Sequence, residues 1–218
     1  MNKKNSQLCH DVFNQMSSTY DDFCLLHCEP MKIQVKELLQ NYKGYFPRIL
    51  DFGCGTGKIG DWLKEMNQEN CELFGVDISE RMIQSTREKG LYTSTMQWDL
   101  NFGFPEPSSN QFDLITAVGF LEFIYNSENL FLDIARLLKL GGEVIFTVEA
   151  KPEYNYKGRQ SPASKGIEMN CFSQQEVLDL VIKSGLQAEE LTLTAAYVSP
   201  TTQDTIYYWF VKARKVFK

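Results

Sequence analysis

No apolar run in the sequence approaches the ~20 residues that span a bilayer, and the N-terminal MNKKNSQLCHDVF lacks the hydrophobic stretch of a secretory signal. A cytoplasmic protein with no membrane role is the expectation. Positive charge is also short. With 22 basic against 28 acidic residues the formal charge is -6, so no overall field is present to collect phosphate backbones by counterion release. Nucleic acid is not expected as a partner, and the basic cluster Lys212, Arg214, Lys215 and Lys218 is read as a solvated face.

Cysteine is too sparse for a disulfide scaffold and forms no C-x-x-C pair, so Cys9, Cys24, Cys28, Cys54, Cys71 and Cys171 are expected as reduced thiols. Histidine is scarcer still: only His10 and His27 occur. CLLHC puts Cys24, His27 and Cys28 close together on a helical face, and Cys9 and His10 lie upstream, but the spacing matches no zinc finger. No metal is expected. What the chain does not lack is a core: 43% hydrophobic and 23% charged residues over 218 positions suit one compact domain.

Residues 9–42 carry apolar positions at helical spacing, interrupted by the polar SSTYDD. From Arg48 the pattern changes to short apolar runs, RILDFG, ELFGVD, FDLITAVG and GEVIFTVE, separated by the helical IGDWLKEMN, SERMIQSTREKG and NLFLDIARLLKLGG. The last two of these helices are expected to close on their glycines. Strands that alternate with helices predict a parallel sheet covered on both faces. SQQEVLDLVIKSG reads as one more helix, and ELTLTAAYV and IYYWFVKA, joined by SPTTQDT, as an antiparallel pair. The chain therefore divides into a helical cap over residues 1–45 and a ligand-binding body over 46–218, with a polar, lid-like insert at 150–170.

Between the first strand and its helix lies DFGCGTG, where an open α/β sheet presents its ligand crevice. Gly55, Gly57 and Gly60 satisfy the weak dinucleotide pattern G-x-G-x-x-G. Asp51 stands two residues before the first glycine, where a carboxylate aimed at the loop would repel a pyrophosphate. A sulfonium carries the opposite sign and suits it.

DFGCGTG, LFGVDISERM, MQWDL, FDLITAVGFLEFI and KLGGEVIFT, in that order, resemble the class I S-adenosylmethionine-dependent methyltransferases of the small-molecule type, over about residues 48–213. The resemblance implies an α/β, Rossmann-like, mostly parallel seven-stranded sheet with a C-terminal antiparallel hairpin and an N-terminal helical cap. It also implies S-adenosyl-L-methionine as cofactor. The methionine end would meet Asp51, Gly53, Cys54 and Gly55, and Asp77 would grip the ribose. Ile78, Met82, Asp99 and Leu100 would surround the adenine, and Val118 would stand at the strand end that passes the sulfonium. Tyr20, in a segment resembling the pre-domain cover of such enzymes, would lie near the methionine end.

Many relatives carry a histidine in a sequence like L-E-H-I, where this chain has Leu121, Glu122, Phe123 and Ile124. Glu122 and His27 remain as catalytic candidates. The acceptor is expected to be a small molecule framed by the cap, residues 119–123 and the insert with Tyr154, Tyr156 and Arg159. Methylation of a protein, or cofactor binding without transfer, are the alternatives. Nothing in the sequence sets the oligomeric state.

Overall fold

The computed structural model describes residues 3–40, 47–68, 70–106, 108–151, 166–200 and 203–216. Three helices come first, α1 (Lys3–Met16), α2 (Tyr20–His27) and α3 (Glu29–Gln40), followed by β1 (Arg48–Phe52), α4 (Lys58–Glu65), β2 (Glu72–Asp77), α5 (Glu80–Lys89) and β3 (Ser94–Gln97). β4 (Phe112–Ala117), α6 (Ser127–Leu137), β5 (Leu138–Glu149), α7 (Gln174–Lys183), β6 (Leu186–Val198) and β7 (Thr205–Lys215) complete the order. The seven strands form one sheet in the order β3-β2-β1-β4-β5-β7-β6. The five on the β3 to β5 side run parallel, and β7 is antiparallel to both β5 and β6.

The strands read as continuous apolar runs because successive side chains enter opposite cores. Leu50, Ile115 and Phe146 join the core under α6 and α7, whereas their neighbours Ile49, Leu114 and Ile145 join the core under α3 and α4. The residues expected as an N-terminal cap thus split in role. α3 is a layer of the sandwich, with Val35 and Leu39 fully buried on the sheet, while α1 and α2 lie over one end of it. No helix among the described residues is long and apolar enough to cross a membrane.

Two expectations need correction. The helix NLFLDIARLLKLGG does not run to its glycines but stops at Leu137, and Leu138 already pairs with Phe112 in the sheet. Burial of Leu138 and the grip of Asp113 on the Lys139 ammonium, 2.8 Å away, favour strand over a further helical turn. The basic cluster is not a solvated face either. β7 lies between two strands, so Lys212 is only 4% exposed, 3.1 Å from Glu143, and Arg214 also pairs with Glu143. Lys215 donates to Asn110 Oδ1 and to the Leu138 carbonyl, both at 2.9 Å, and burial lowers its pKa. Lys218 lies outside the described residues.

Glu143→Ala strands the buried Lys212 ammonium without its counter-ion. Urea unfolding is expected to show a loss of about 3 to 5 kcal/mol, the cost of breaking a buried ion pair on one side; a loss below about 1 kcal/mol would show that water reaches Lys212.

Candidate active site

β1 has β2 on one side and β4 on the other, so the connections leaving the C-terminal ends of β1 and β4 diverge and leave a crevice between them. The loop after β1 lines that crevice with Gly53 and Gly55. Both have positive φ, 68° and 52°, and a Cβ on Gly53 would stand 2.5 Å from the Phe120 ring. Only glycine lets the chain turn there while Phe120, from the loop after β4, packs down on it. Hydrogen bonds from Gly53 N and Cys54 N to the Val76 carbonyl hold the loop against β2.

Two acids support the loop in different ways. Asp77, at the end of β2, lines the crevice and accepts hydrogen bonds from Gly55 N at 2.9 Å and Ser79 N at 2.8 Å. Burial raises its pKa, against the effect of those donors. Asp51 does not stand where the sequence argument put it. It is 1% exposed, beneath the loop, where Tyr92 Oη donates at 2.6 Å and Thr116 Oγ1 at 2.7 Å. The reason is its position within β1, from which the side chain points into the protein rather than toward the ligand. Burial carries its pKa up to about 7, against the two hydroxyl donors.

The far wall and the cover come from other elements. Ile78, Met82, Asp99 and Leu100 line the crevice together, on the side that the family resemblance implied. Asp99 Oδ1 accepts from both Asn101 N and Asn101 Nδ2 at 2.9 Å. Tyr20, at the start of α2, also lines the crevice, near Gly55. Burial drives its phenol well above the ordinary tyrosine pKa, helped by the neighbouring thiols and Asp77. Asn14 pins α1 by accepting from Ser79 Oγ at 2.7 Å and Arg81 N at 3.1 Å. Asp21 pins α2 through Thr56 at 2.5 Å, Lys58 at 3.0 Å and Lys89 at 2.9 Å.

Several lining residues escaped the sequence reading. Cys9 and Phe13, four apart on one face of α1, enter the crevice, and Phe13 meets Phe123 edge-on with ring centroids 5.3 Å apart. Burial, with Asp99 nearby, pushes the Cys9 thiol up to about 12. Trp98 and Asn101 flank Asp99. The i, i+4 spacing of Cys9 and Phe13 was visible in the sequence; that this face meets the sheet end was not.

Four expected residues lie elsewhere. Cys54 is buried under the loop against Gly75, and Val118 packs on the α3/α4 core. Glu122 is 2% exposed and accepts from Tyr208 Oη at 2.6 Å, so it is no carboxylate at the mouth: its turn (Leu121–Phe123) sends Phe123 to the crevice and Glu122 inward. His27 packs on Phe23, ring centroids 5.2 Å apart, and does not line the crevice. Of the insert, residues 152–165, with Tyr154, Tyr156 and Arg159, lie outside the described residues.

Comparison with known proteins agrees with this geometry. Residues 25–191 match the family described as "Methyltransferase domain". The chain is 27% identical over 190 residues to a ubiquinone biosynthesis O-methyltransferase of Azoarcus sp. (strain BH72), covering 78% of each chain. It is 28% identical over 147 residues to a malonyl-[acyl-carrier protein] O-methyltransferase of Enterobacter lignolyticus (strain SCF1), covering 66% of this chain and 55% of that one. Among solved structures, a SAM-dependent methyltransferase of Methanosarcina mazei superposes with a TM-score of 0.65 at 16% identity, over 83% of this chain and 98% of that one.

Asp51 makes stability pH-dependent. Its folded-state pKa of about 7 lies above the ordinary carboxylate value, so from pH ~4 to ~7 the folded chain keeps a proton that the unfolded chain has released. The contribution is fully present below that window and lost as pH rises through it, by a few kcal/mol. Asp77 shifts in the same direction. Asp51→Asn, which cannot ionise, is expected to lose distinctly less unfolding free energy than the unsubstituted protein between pH 5 and pH 8; equal losses would show that Asp51 is ionised throughout.

Proposed function

The chain belongs to the methyltransferase-domain family, whose cofactor is S-adenosylmethionine, and from that premise we propose that it transfers a methyl group to a small-molecule acceptor by in-line displacement. The observation that carries this reading is the lining of the crevice. Asp77 and Asp99 face it, Gly53 and Gly55 form its floor, and no lysine, arginine or histidine is among the described residues that line it. A dinucleotide pyrophosphate would find no counter-charge there, whereas a sulfonium and an ammonium would.

In this reading Asp77 holds the ribose hydroxyls, and Asp99, Leu100, Ile78 and Met82 hold the adenine. Gly53 and Gly55 receive the methionine end, and Tyr20 closes over it. When bound, S-adenosylmethionine supplies a methyl group already activated by a positive sulfur. The protein then has to place the acceptor in line with it, and positioning alone contributes ~7 to 11 kcal/mol to such a step. Tyr20 and Cys9 keep their protons at neutral pH because burial raises both. Glu122 is held by Tyr208 away from the crevice. Among the described residues that line the crevice there is no histidine or lysine to act as a base, and in this reading the acceptor brings its own nucleophile. The O-methyltransferase names of both curated relatives support an oxygen acceptor, and the cover of α1 and α2 favours a small one over a protein chain. Residues 1–45 and 46–218 act together as one unit, because α3 is part of the sandwich.

Titration calorimetry is expected to show binding of S-adenosylmethionine and S-adenosylhomocysteine and much weaker binding of NAD. Asp77→Ala should weaken S-adenosylhomocysteine by about 10- to 100-fold, the scale of hydrogen bonds to a charged acceptor. Heat from NAD alone would overturn the reading, and turnover with a panel of hydroxylated acceptors separates an enzyme from a binding protein.

A further inference from the structure

One face of α2 carries Tyr20, Cys24 and, at the helix end, Cys28, four residues apart each time, so that they form a single row. The row runs from the crevice, which Tyr20 lines, to the junction of α2 and α3, where Cys24 and Cys28 open on a shared groove with Lys58. Along that row each side chain stands one helical turn from the next. The proposed transfer uses neither cysteine.

We propose that Cys24 and Cys28 form a reversible thiol-modification site, closed to an internal disulfide by a small-molecule disulfide of the glutathione class, and that closure loosens Tyr20 over the crevice. Residues four apart on a helix have Cβ atoms ~5 to 6 Å apart, whereas a disulfide needs ~3.5 to 4.5 Å. The last turn of α2 must therefore tighten by about 1 to 2 Å. Three features make that easy. Cys28 has already left helical geometry, with φ -106° and ψ 18°. Pro30 has no N–H to give the carbonyl of Leu26. Between Tyr20 and His27 no residue is buried, Leu25 and Leu26 are each 74% exposed, and only Cys28 at the helix end is buried.

The chemistry is ordinary exchange. The Cys24 thiolate attacks one sulfur of the reagent and expels one small thiolate. Cys28 gives up its proton and attacks the Cys24 sulfur, expelling the second. The protein loses two hydrogens and the reagent is reduced to two thiols. Cys24 is the attacking group, since it is half-buried on the groove it shares with Lys58, whereas Cys28 is buried. Closure takes the Cys24 thiol away from Tyr20.

The test compares full-length protein kept reduced with protein incubated in oxidised glutathione, using peptide mapping by mass spectrometry and calorimetry with S-adenosylhomocysteine. Expected are a Cys24–Cys28 link and an affinity about 3- to 10-fold weaker, the scale of one lost hydrogen-bond partner, restored by dithiothreitol. Cys24→Ser/Cys28→Ser should bind equally under both conditions. Cys28→Ser alone should stop at a glutathione adduct on Cys24, which keeps the site testable if the double variant does not fold. Absence of the link, or a link through Cys9 instead, overturns the site; a link with unchanged affinity overturns its coupling to the crevice. The inference rests on the proposed cofactor only for the affinity readout. If the reduced protein binds no S-adenosylhomocysteine, that reading of function fails while mapping still decides the disulfide.

Discussion

Asp77 accepts two backbone N–H groups, one from Gly55 in the glycine loop and one from Ser79 at the start of α5, and most of the crevice follows from that pair. The first bond joins the floor of the crevice to the end of β2. The second sets Ser79 as the N-cap of α5, with its hydroxyl accepting from Met82 N at 3.1 Å. The same hydroxyl donates to Asn14, which fastens α1 over the opening and brings Cys9 and Phe13 inward. A carboxylate at the end of one strand thus connects floor, wall and cover.

The second acid, Asp51, lies directly beneath this arrangement and has the opposite relation to solvent. Thr116 on β4 and Tyr92 after α5 both donate to it, so it ties β1 to the elements on either side of the strand-order switch. Its burial favours the neutral form. Asp51 thus stays beneath the glycine loop, and the acids that line the crevice itself are Asp77 and Asp99. The crevice has acids along its wall and bare backbone along its floor.

The cover is held by polar side chains rather than by its own core. Asn14 and Asp21 fix α1 and α2 at the ends where the two helices meet, and Asn5 adds a two-point link to the backbone of Glu168 at 3.1 and 2.9 Å. Inside, Phe13, Phe120 and Phe123 make the lining apolar. An apolar lining of this kind suits a step in which charge is dispersed.

The chain's own pattern determined the order of strands and helices, the glycine loop and the acid at the end of β2. Those features depend on local spacing: apolar runs for strands buried on both faces, glycine where φ must be positive, and acids at strand ends. The family resemblance, rather than spacing alone, pointed to Ile78, Met82, Asp99 and Leu100 as one wall, and all four line the crevice. Local spacing could not tell which acid faces the ligand, because Asp51 and Asp77 differ only in whether their strand position points into the protein or out of its end. Nor could it show that Glu122 turns inward to Tyr208 while Phe123 turns out, or that Lys212 and Lys215 are buried because β7 is flanked on both sides. Those outcomes depend on which elements pack together across 41 to 105 residues of sequence, and side-chain burial and charge are decided only when that packing is complete.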